Sequence, residues 1–166
     1  MEQIVHPIAP LYDETSRILI LGSFPSVASR AAMFFYGHPQ NRFWPLLAAL
    51  LDEPTPQSVE EKRALALRHH IALWDTIGSC RIDGSSDSSI REVIANDLRP
   101  ILQAAPIRQI FCNGATSYQY FCRYQQPQTG HKAVKLPSTS PANAAWHFER
   151  LYDAWQAILP PLQEDA

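Results

Sequence analysis

The chain is poor in the features that mark several classes of protein. It has only three cysteines, and none lies in a Cys-x-x-Cys pair or at a spacing from histidine that suits zinc. We therefore expect reduced thiols, with Cys112 filling the core, and neither a structural metal nor a cofactor.

No apolar run approaches the roughly 18 residues that span a bilayer, and the first residues show no signal-peptide pattern. We expect no contact with a membrane and a cytoplasmic location.

An excess of charge of one sign is also missing. The 14 lysines and arginines stand against 16 aspartates and glutamates, for a net charge of −2. Nucleic-acid-binding proteins usually carry a basic surface, so the composition gives no global sign of that class, although a local site is compatible with it. His131, Lys132 and Lys135 form one basic cluster, which an ordinary solvated surface explains equally well.

The chain does have the length and composition of a globular domain. Its 166 residues are 46% hydrophobic and 18% charged, enough to bury a sizeable core. No internal repeat or low-complexity linker divides it. We expect one domain over residues 1–166, with residues 1–16 as an extended N-terminal segment.

Two stretches predict a ligand site. Residues 17–21 are Arg-Ile-Leu-Ile-Leu, and residues 22–26 are Gly-Ser-Phe-Pro-Ser, which together indicate a buried strand running into a tight turn. In an open α/β sheet this turn lies at the carboxyl edge, where ligand crevices form. Residues 35–44 place aromatic side chains beside His38, Asn41 and Arg42 in one loop before an apolar helix. A loop so rich in polar and aromatic groups favours binding over mere connection.

The rest of the chain alternates between strand and helix patterns. Strands are predicted at residues 17–21, 71–74, 107–112 and 133–136. Helices are predicted at residues 43–51, from the Ser58/Glu61 capping box to about residue 69, at 96–102, 115–124 and 146–158. Residues 78–88 are predicted to be a loop, followed by a helix to residue 95 capped by Ser89 and Glu92. The alternation predicts an α/β fold, a three-layer α/β/α sandwich with a central four-stranded parallel sheet.

Each predicted strand ends in a polar cluster. These clusters are residues 23–26, residues 75–76, Asn113 and residues 138–143. Right-handed crossovers bring all four strand ends to one edge of the sheet, so the functional site is expected there.

Three motifs in order resemble the uracil-DNA glycosylase superfamily and, within it, the hypoxanthine-DNA (deoxyinosine) glycosylase branch. They are residues 22–26, residues 38–44 (His-Pro-x-Asn-Arg-Phe-Trp) and residues 136–143 (Leu-Pro-Ser-Thr-Ser-Pro-Ala-Asn). Residues 71–75 fit the family's second strand, and the resemblance extends from about residue 17 to residue 155. It implies a monofunctional, monomeric glycosylase of base excision repair. Such an enzyme flips a deaminated base, hypoxanthine and/or uracil, out of DNA and hydrolyses its N-glycosidic bond.

The resemblance also implies roles for residues that would contact the base. Tyr36 aligns with the family's stacking aromatic, Asp75 lies where relatives place a base-reading side chain, and Asn113 is a second candidate for that role. Phe24 belongs to the same base-contacting group, but it stands where many relatives carry a carboxylate or carboxamide and cannot orient a water. Asn41 is the natural substitute as the catalytic residue, because its carboxamide can position the attacking water.

The loops are expected to contact the DNA strand. The residues that the resemblance places there are Ser23, Ser26, His38, Ser138, Thr139, Ser140 and Asn143. Residues 138–143 include no histidine, whereas uracil-specific relatives use one to stabilise the leaving base. No lysine falls within any motif, which disfavours a Schiff-base lyase mechanism.

Each assignment has a structural alternative. Asn41 is also a good N-cap for the following helix, His38 could order its loop, and Asp75 could start a turn. Tyr36 could cover the loop, and the serines of residues 138–140 could form an ordinary turn. For the whole protein, the alternatives are a catalytically inactive module that binds damaged DNA or nucleotides, and a hydrolase of free nucleosides.

Overall fold

The structure of the chain is a computed structural model that describes residues 3–163. Its strands are β1 (Gln3–Val5), β2 (Ile18–Gly22), β3 (Ile71–Asp75), β4 (Ile77–Arg81), β5 (Arg91–Ala95), β6 (Gln109–Asn113) and β7 (Ala133–Leu136). Its helices are α1 (Val27–Ala32), α2 (Phe43–Leu50), α3 (Val59–Arg68), α4 (Arg99–Ala104), α5 (Ala115–Tyr120), α6 (Gln126–Thr129), α7 (Phe148–Trp155) and α8 (Leu159–Leu162). One π-helical turn at Phe121–Gln125 joins α5 to α6.

The predicted parallel sheet is confirmed. Four strands lie in the order β3-β2-β6-β7, and every neighbouring pair is parallel. All five residues of β2 are buried, as expected for a central strand covered on both faces. Ile18 and Ile20 pack into the core beneath α2 and α7, whereas Leu19 and Leu21 pack on the opposite face beneath α4. Helices therefore cover both faces, which gives the predicted three-layer sandwich.

The aromatic loop ends where the sequence predicts, at an apolar helix. α2 buries Phe43, Trp44 and Leu47 against the sheet, and Pro45 lies in its first turn, where it removes no helical hydrogen bond. The Ser58 cap of α3 is also confirmed, because its side chain accepts from the Glu61 amide at 3.1 Å. These local signals were sufficient to fix both helix starts.

A second sheet was not predicted. β1, β4 and β5 form an antiparallel sheet in the order β1-β4-β5. The predicted loop over residues 78–88 is therefore wrong in its first part, which belongs to β4. The N-terminal segment is extended as expected, but β1 pairs with β4, and the amide of His6 continues the pairing by donating to the Gly78 carbonyl at 2.7 Å.

The predicted helix over residues 89–95 is wrong, because this segment is strand β5. Its capping signal is used differently: the Ser89 hydroxyl accepts from the Asp83 amide at 2.8 Å and donates to the Ser86 carbonyl. Glu92 has a left-handed φ of 55° and pairs with Arg81 across the strands at 3.0 Å. Pairing with β4, which no local pattern reveals, outweighs the helical signal.

Other elements differ from prediction mainly at their ends. The helix predicted from residue 96 begins at Arg99, because the Asn96 side chain instead donates to the carbonyls of Asp75 and Ile77. The helix predicted over residues 115–124 continues through the π-helical turn and α6 to Thr129. The last helix begins at Phe148 and is interrupted by a 3₁₀ turn before α8. None of the helices within residues 3–163 combines the length and the apolar character needed to cross a bilayer.

Candidate active site

A cavity of about 570 Å³ opens at the carboxyl edge of the parallel sheet. Its volume falls in the range of small-molecule sites. It is lined by eleven of the twelve residues singled out from the sequence: Ser23, Phe24, Ser26, Tyr36, His38, Asn41, Asp75, Asn113, Ser138, Thr139 and Ser140. The twelfth, Asn143, lines a groove that shares Ser138, Ser140 and Ala142 with the cavity. The structure therefore brings the three motifs together around one space.

The floor of the cavity is formed where β2 and β3 end side by side. Gly22 is paired in register with Asp75. A Cβ atom on Gly22 would lie 2.3 Å from Oδ1 of Asp75 and 3.2 Å from the hydroxyl of Tyr36. Only glycine leaves room there, so the first motif's glycine lets a carboxylate and a phenol approach the end of β2.

Asp75 has a partner that the sequence did not suggest. Nε2 of His6 lies 2.7 Å from Oδ2 of Asp75, and the two side chains are 3% and 5% exposed. Nδ1 of His6 accepts from the Ile8 amide at 3.2 Å, so the ring carries its proton on Nε2 and donates it to the carboxylate. No motif marks His6, and its contact with Asp75 spans 69 positions of sequence.

Tyr36 lies against the core rather than free above the cavity. Its ring stacks on Phe43 with centroids 4.1 Å apart and 15° between the ring planes. Its hydroxyl is buried and makes no hydrogen bond within residues 3–163, although the Asn113 amide is close enough to interact with it. Burial, and next the negative charge of Asp75, raise the pKa of the Tyr36 phenol well above its usual range, so the phenol stays neutral.

Asn41 lines the cavity and also binds the first amide of α2, although the N-cap position itself is occupied by Arg42, which makes no side-chain cap bond. Its Oδ1 accepts from the Phe43 amide at 2.9 Å and from the Thr139 hydroxyl at 2.9 Å. Because a backbone amide must donate, these bonds fix which end of the carboxamide is oxygen. Nδ2 has no hydrogen-bond partner among the described residues and is the end left for a ligand or a water.

The other carboxamide, Asn113, is directed at the third motif. Its Oδ1 accepts from the Thr139 amide at 3.0 Å, and its Nδ2 donates to the Thr139 hydroxyl at 3.0 Å. Thr139 is fully buried, and its hydroxyl donates a hydrogen bond to Oδ1 of Asn41. The structure therefore places Asn113 and Thr139 inside a buried chain of hydrogen bonds that ends at Asn41.

Arg42 holds the loop over residues 138–146 through its backbone carbonyls. Its guanidinium donates to the carbonyls of Ser140 at 2.8 Å and Asn143 at 3.2 Å, and also to that of Trp146. Its backbone amide donates to the Thr139 carbonyl at 3.1 Å. The sequence placed Arg42 in a motif but gave it no role, because nothing local shows that its partners lie about 100 residues away.

Within the third motif, polar side chains bond mainly to the loop itself. The Ser138 hydroxyl accepts from the Ser140 amide at 3.1 Å, and the Ser140 hydroxyl accepts from the Ala142 amide at 3.2 Å. The Asn143 side chain donates to the Ser138 carbonyl at 3.0 Å. The loop is consequently ordered before any ligand arrives, with partly exposed hydroxyls at its surface.

The remaining cavity residues have structural roles as well. Ser26 caps α1 by accepting from the Ser29 amide at 3.1 Å, and Nδ1 of His38 accepts from the Gln40 amide at 3.1 Å. The Ser23 hydroxyl donates to Asp87 at 3.0 Å. Burial raises the pKa of the Asp87 carboxyl, against the lowering effect of the Ser23 and Thr116 hydrogen bonds. Asp87 lies in the segment predicted as a loop, which covers one side of the cavity.

Phe24 closes the cavity toward the second sheet. It is 8% exposed, packs with Ile77 and Cys80, and meets the His6 ring edge-on with centroids 5.8 Å apart. It thus shields the His6–Asp75 pair from water. Among the described residues, no group of three or more His, Cys, Asp or Glu side chains is arranged to hold a metal ion.

The fold and the site together define an α/β protein with a pocket of small-molecule size at the carboxyl edge of a parallel sheet. A carboxylate and carboxamides line this pocket. A family model described as the uracil DNA glycosylase superfamily matches residues 9–159. The chain belongs to this superfamily, as its motifs indicated.

Curated relatives and a solved structure agree with that placement. A protein of Methanosarcina acetivorans named hypoxanthine DNA glycosylase is 34% identical over 150 residues, which cover 88% of this chain and 92% of that protein. A protein of the same name from Methanosarcina barkeri is 34% identical over 113 residues, covering 67% of this chain and 72% of its own. The solution NMR structure of a candidate uracil DNA glycosylase from M. acetivorans superimposes with a TM-score of 0.81. It is 30% identical and covers 97% of this chain and 100% of that one.

Proposed function

We propose that this chain is a monofunctional DNA glycosylase of base excision repair that hydrolyses the N-glycosidic bond of a flipped, deaminated base, with hypoxanthine as the first substrate to test and uracil as the second. It is proposed to act as a cytoplasmic monomer on DNA. The observation that carries the proposal is that Asp75 and Asn41 line the same 570 Å³ cavity, and that Oδ1 of Asp75 and Nδ2 of Asn41 have no hydrogen-bond partner within residues 3–163. The names of the relatives support hypoxanthine over other bases.

Recognition of the base is assigned to Asp75. Its Oδ2 is occupied by His6, so Oδ1 is the oxygen available to accept from the ring N–H of a base. Hypoxanthine and uracil both present such an N–H beside a carbonyl, whereas adenine and cytosine present an unprotonated ring nitrogen there. Tyr36 is proposed to form the apolar wall against which the flipped base packs.

Hydrolysis is assigned to a water held by Asn41. Breaking the bond between C1′ and the base nitrogen leaves a cationic sugar and transfers the bonding electrons to the base. Such a sugar accepts even a weak nucleophile, so the water needs to be positioned more than deprotonated. Nδ2 of Asn41 can donate to the water oxygen and leave its second lone pair free to attack C1′. The two hydrogen bonds to Oδ1 keep this donor in place.

Contact with the DNA strand is assigned to the loop over residues 138–143, together with Ser23, Ser26 and His38. The hydroxyls of Ser138 and Ser140 and the side chain of Asn143 are partly exposed and can meet phosphate oxygens. Thr139 and Asn113 contribute by holding this loop against Asn41 rather than by reaching the DNA themselves.

An inactive binding module is the second candidate, because Phe24 fills the position where many relatives carry a polar group. A single-turnover assay on duplexes containing deoxyinosine, deoxyuridine or no damage separates the two. We expect abasic product from deoxyinosine and none from the undamaged duplex. Binding to the damaged duplex without any product would exclude the enzyme and favour the binding module.

A further inference from the structure

The N-terminal segment reaches the floor of the cavity, although the sequence suggested no function for it. Residues 8–11 run along the free edge of β3, where the Leu11 and Leu73 backbones exchange hydrogen bonds of 2.9 and 2.8 Å. The Trp74 indole donates to the Ile8 carbonyl at 3.1 Å. These contacts hold His6 beside the last residue of β3, which is Asp75.

The environment of His6 fixes both its proton and its orientation. The Ile8 amide donates to Nδ1, so a proton on that nitrogen would face another donor. The rings of Phe24 and Trp74 meet the imidazole edge-on at 5.8 and 6.1 Å. With its side chain 3% exposed, the imidazole can donate to nothing but Oδ2 of Asp75 among the described residues.

We propose that His6 is a positioning residue for base recognition: its neutral imidazole holds Asp75 so that Oδ1 faces the cavity as a hydrogen-bond acceptor for the ring N–H of the flipped base. The proposal rests on the proposed function, because it concerns how the same pocket selects its base. An unpartnered Asp75 would be free to rotate away from Gly22, and its Oδ1 would then no longer be held toward the cavity as an acceptor. On this proposal, the preference for bases with a ring N–H depends on His6, which directly follows β1.

The kinetic test compares two substitutions. His6→Leu removes both ring nitrogens at similar volume, whereas His6→Gln retains one donor and one acceptor. In single-turnover assays on a deoxyinosine duplex, we expect His6→Leu to lower the rate constant at saturating enzyme by about 10- to 100-fold, with His6→Gln recovering most of it. DNA affinity should change by less than about threefold, because backbone contacts carry most of it. His131→Leu, at an exposed histidine outside the site, is the matched control.

A double-mutant cycle shows whether His6 acts through Asp75. In an Asp75→Ala background, His6→Leu should cost no more than about twofold, because the group that His6 positions is already gone. An equal loss in both backgrounds would overturn the proposal, since it would mean that His6 acts through packing alone. Wild-type rates for both His6 variants would overturn it as well.

A measurement on the wild-type protein separates this proposal from the proposed function. Nitrogen-15 NMR of the imidazole should show a single Nε2–H tautomer for His6, and Asp75→Ala should abolish its hydrogen-bonded proton signal. An Nδ1–H tautomer, or a signal unchanged by Asp75→Ala, would overturn the role of His6 whatever the activity. Loss of the proposed function would instead appear as an inactive wild type with this NMR signature intact.

Discussion

At the scale of single residues, Asn41 combines a hydrogen bond to the start of α2 with the catalytic role proposed for it, and these two roles ordinarily compete. A capping residue uses its side-chain oxygen on the helix, which leaves nothing for catalysis if that oxygen is also the reactive group. Here Oδ1 binds the Phe43 amide and the Thr139 hydroxyl, while Nδ2 remains available in the cavity. The contact with the helix and the proposed catalytic role are therefore compatible, because they use opposite ends of the Asn41 carboxamide.

Replacing Asn41 tests this division. We expect Asn41→Ala to lower the single-turnover rate constant on deoxyinosine duplex by about 100-fold or more, because the positioned water is lost. The lost cap should lower the free energy of unfolding by about 1 kcal/mol, measured by urea denaturation. Gln40→Ala, at the exposed neighbour, is the control and should leave the rate unchanged. A variant that loses stability but keeps its rate would leave Asn41 as a cap only.

Gly22 makes a second residue-scale prediction. In Gly22→Ala the new Cβ would stand 2.3 Å from Oδ1 of Asp75, so the carboxylate or the strand end must move. We expect a loss of about 1–3 kcal/mol in unfolding free energy and a large loss of excision activity. Gly84→Asn is a suitable comparison, since a Cβ there meets nothing within 4 Å and asparagine tolerates its φ of 60°. Equal effects of the two substitutions would argue against a role for the Gly22–Asp75 approach.

At the scale of elements, the loop over residues 138–146 depends on a side chain from the start of α2. Arg42 donates to the carbonyls of Ser140, Asn143 and Trp146, and its planar guanidinium suits several acceptors at once. The hydrogen-bond chain from Asn113 through Thr139 to Asn41 adds a second connection between the same elements. The group proposed to hold the water and the loop proposed to contact the DNA are thus joined by two sets of hydrogen bonds.

Removing the Arg42 clamp should loosen this loop. We expect Arg42→Ala to speed hydrogen exchange at amides 138–146, and to weaken binding to deoxyinosine duplex by about tenfold, since the carbonyls of Ser140, Asn143 and Trp146 lose their side-chain donor. Arg42→Lys should recover only part of the protection, because an ammonium cannot span the same carbonyls. Arg99→Ala, which breaks an exposed pair with Asp97, is the control. Unchanged exchange in the loop would show that Arg42 is dispensable for its order.

At the scale of the whole molecule, the net charge of −2 sets how DNA can bind. Because the net charge is not positive, the DNA binding proposed here depends on local phosphate contacts around the cavity and not on a general attraction between the whole protein and DNA. Such binding still releases counterions, and its salt dependence reports how many phosphates are engaged.

Salt titration therefore distinguishes a DNA enzyme from a hydrolase of free nucleosides. Using Asn41→Ala to prevent turnover, we expect the Kd for a deoxyinosine duplex to rise about tenfold between about 50 and 200 mM salt, as two phosphate contacts would require. An undamaged duplex should bind more weakly with a similar slope. An affinity that does not respond to salt would favour the free nucleoside as substrate.

Local patterns in the amino-acid sequence were enough to predict the parallel sheet and most of the residues that line the cavity. Strands β2, β3, β6 and β7 are apolar runs that end in polar residues, and the sheet's topology places those ends together, so the strand pattern was enough to predict that Asp75, Asn113 and residues 138–142 line one cavity. Asn41 reaches the same cavity from the loop before α2. Such patterns can be recognised in the sequence because each depends on residues that are close together in the chain.

Which atoms of these side chains lack a hydrogen-bond partner depends on long-range contacts that the sequence does not reveal. His6 meets Asp75 across 69 positions, and Thr139 meets Asn41 across 98, so no local pattern could show that Oδ2 and the Asn41 oxygen are already occupied. The same holds for β5. Its sequence contains a helical capping signal, but the segment pairs with β4, which lies ten or more residues away in the chain. Folding brings hydrogen-bond partners within 3 Å of Oδ2 of Asp75 and Oδ1 of Asn41, and these partners determine which atom of each side chain is left to face the cavity.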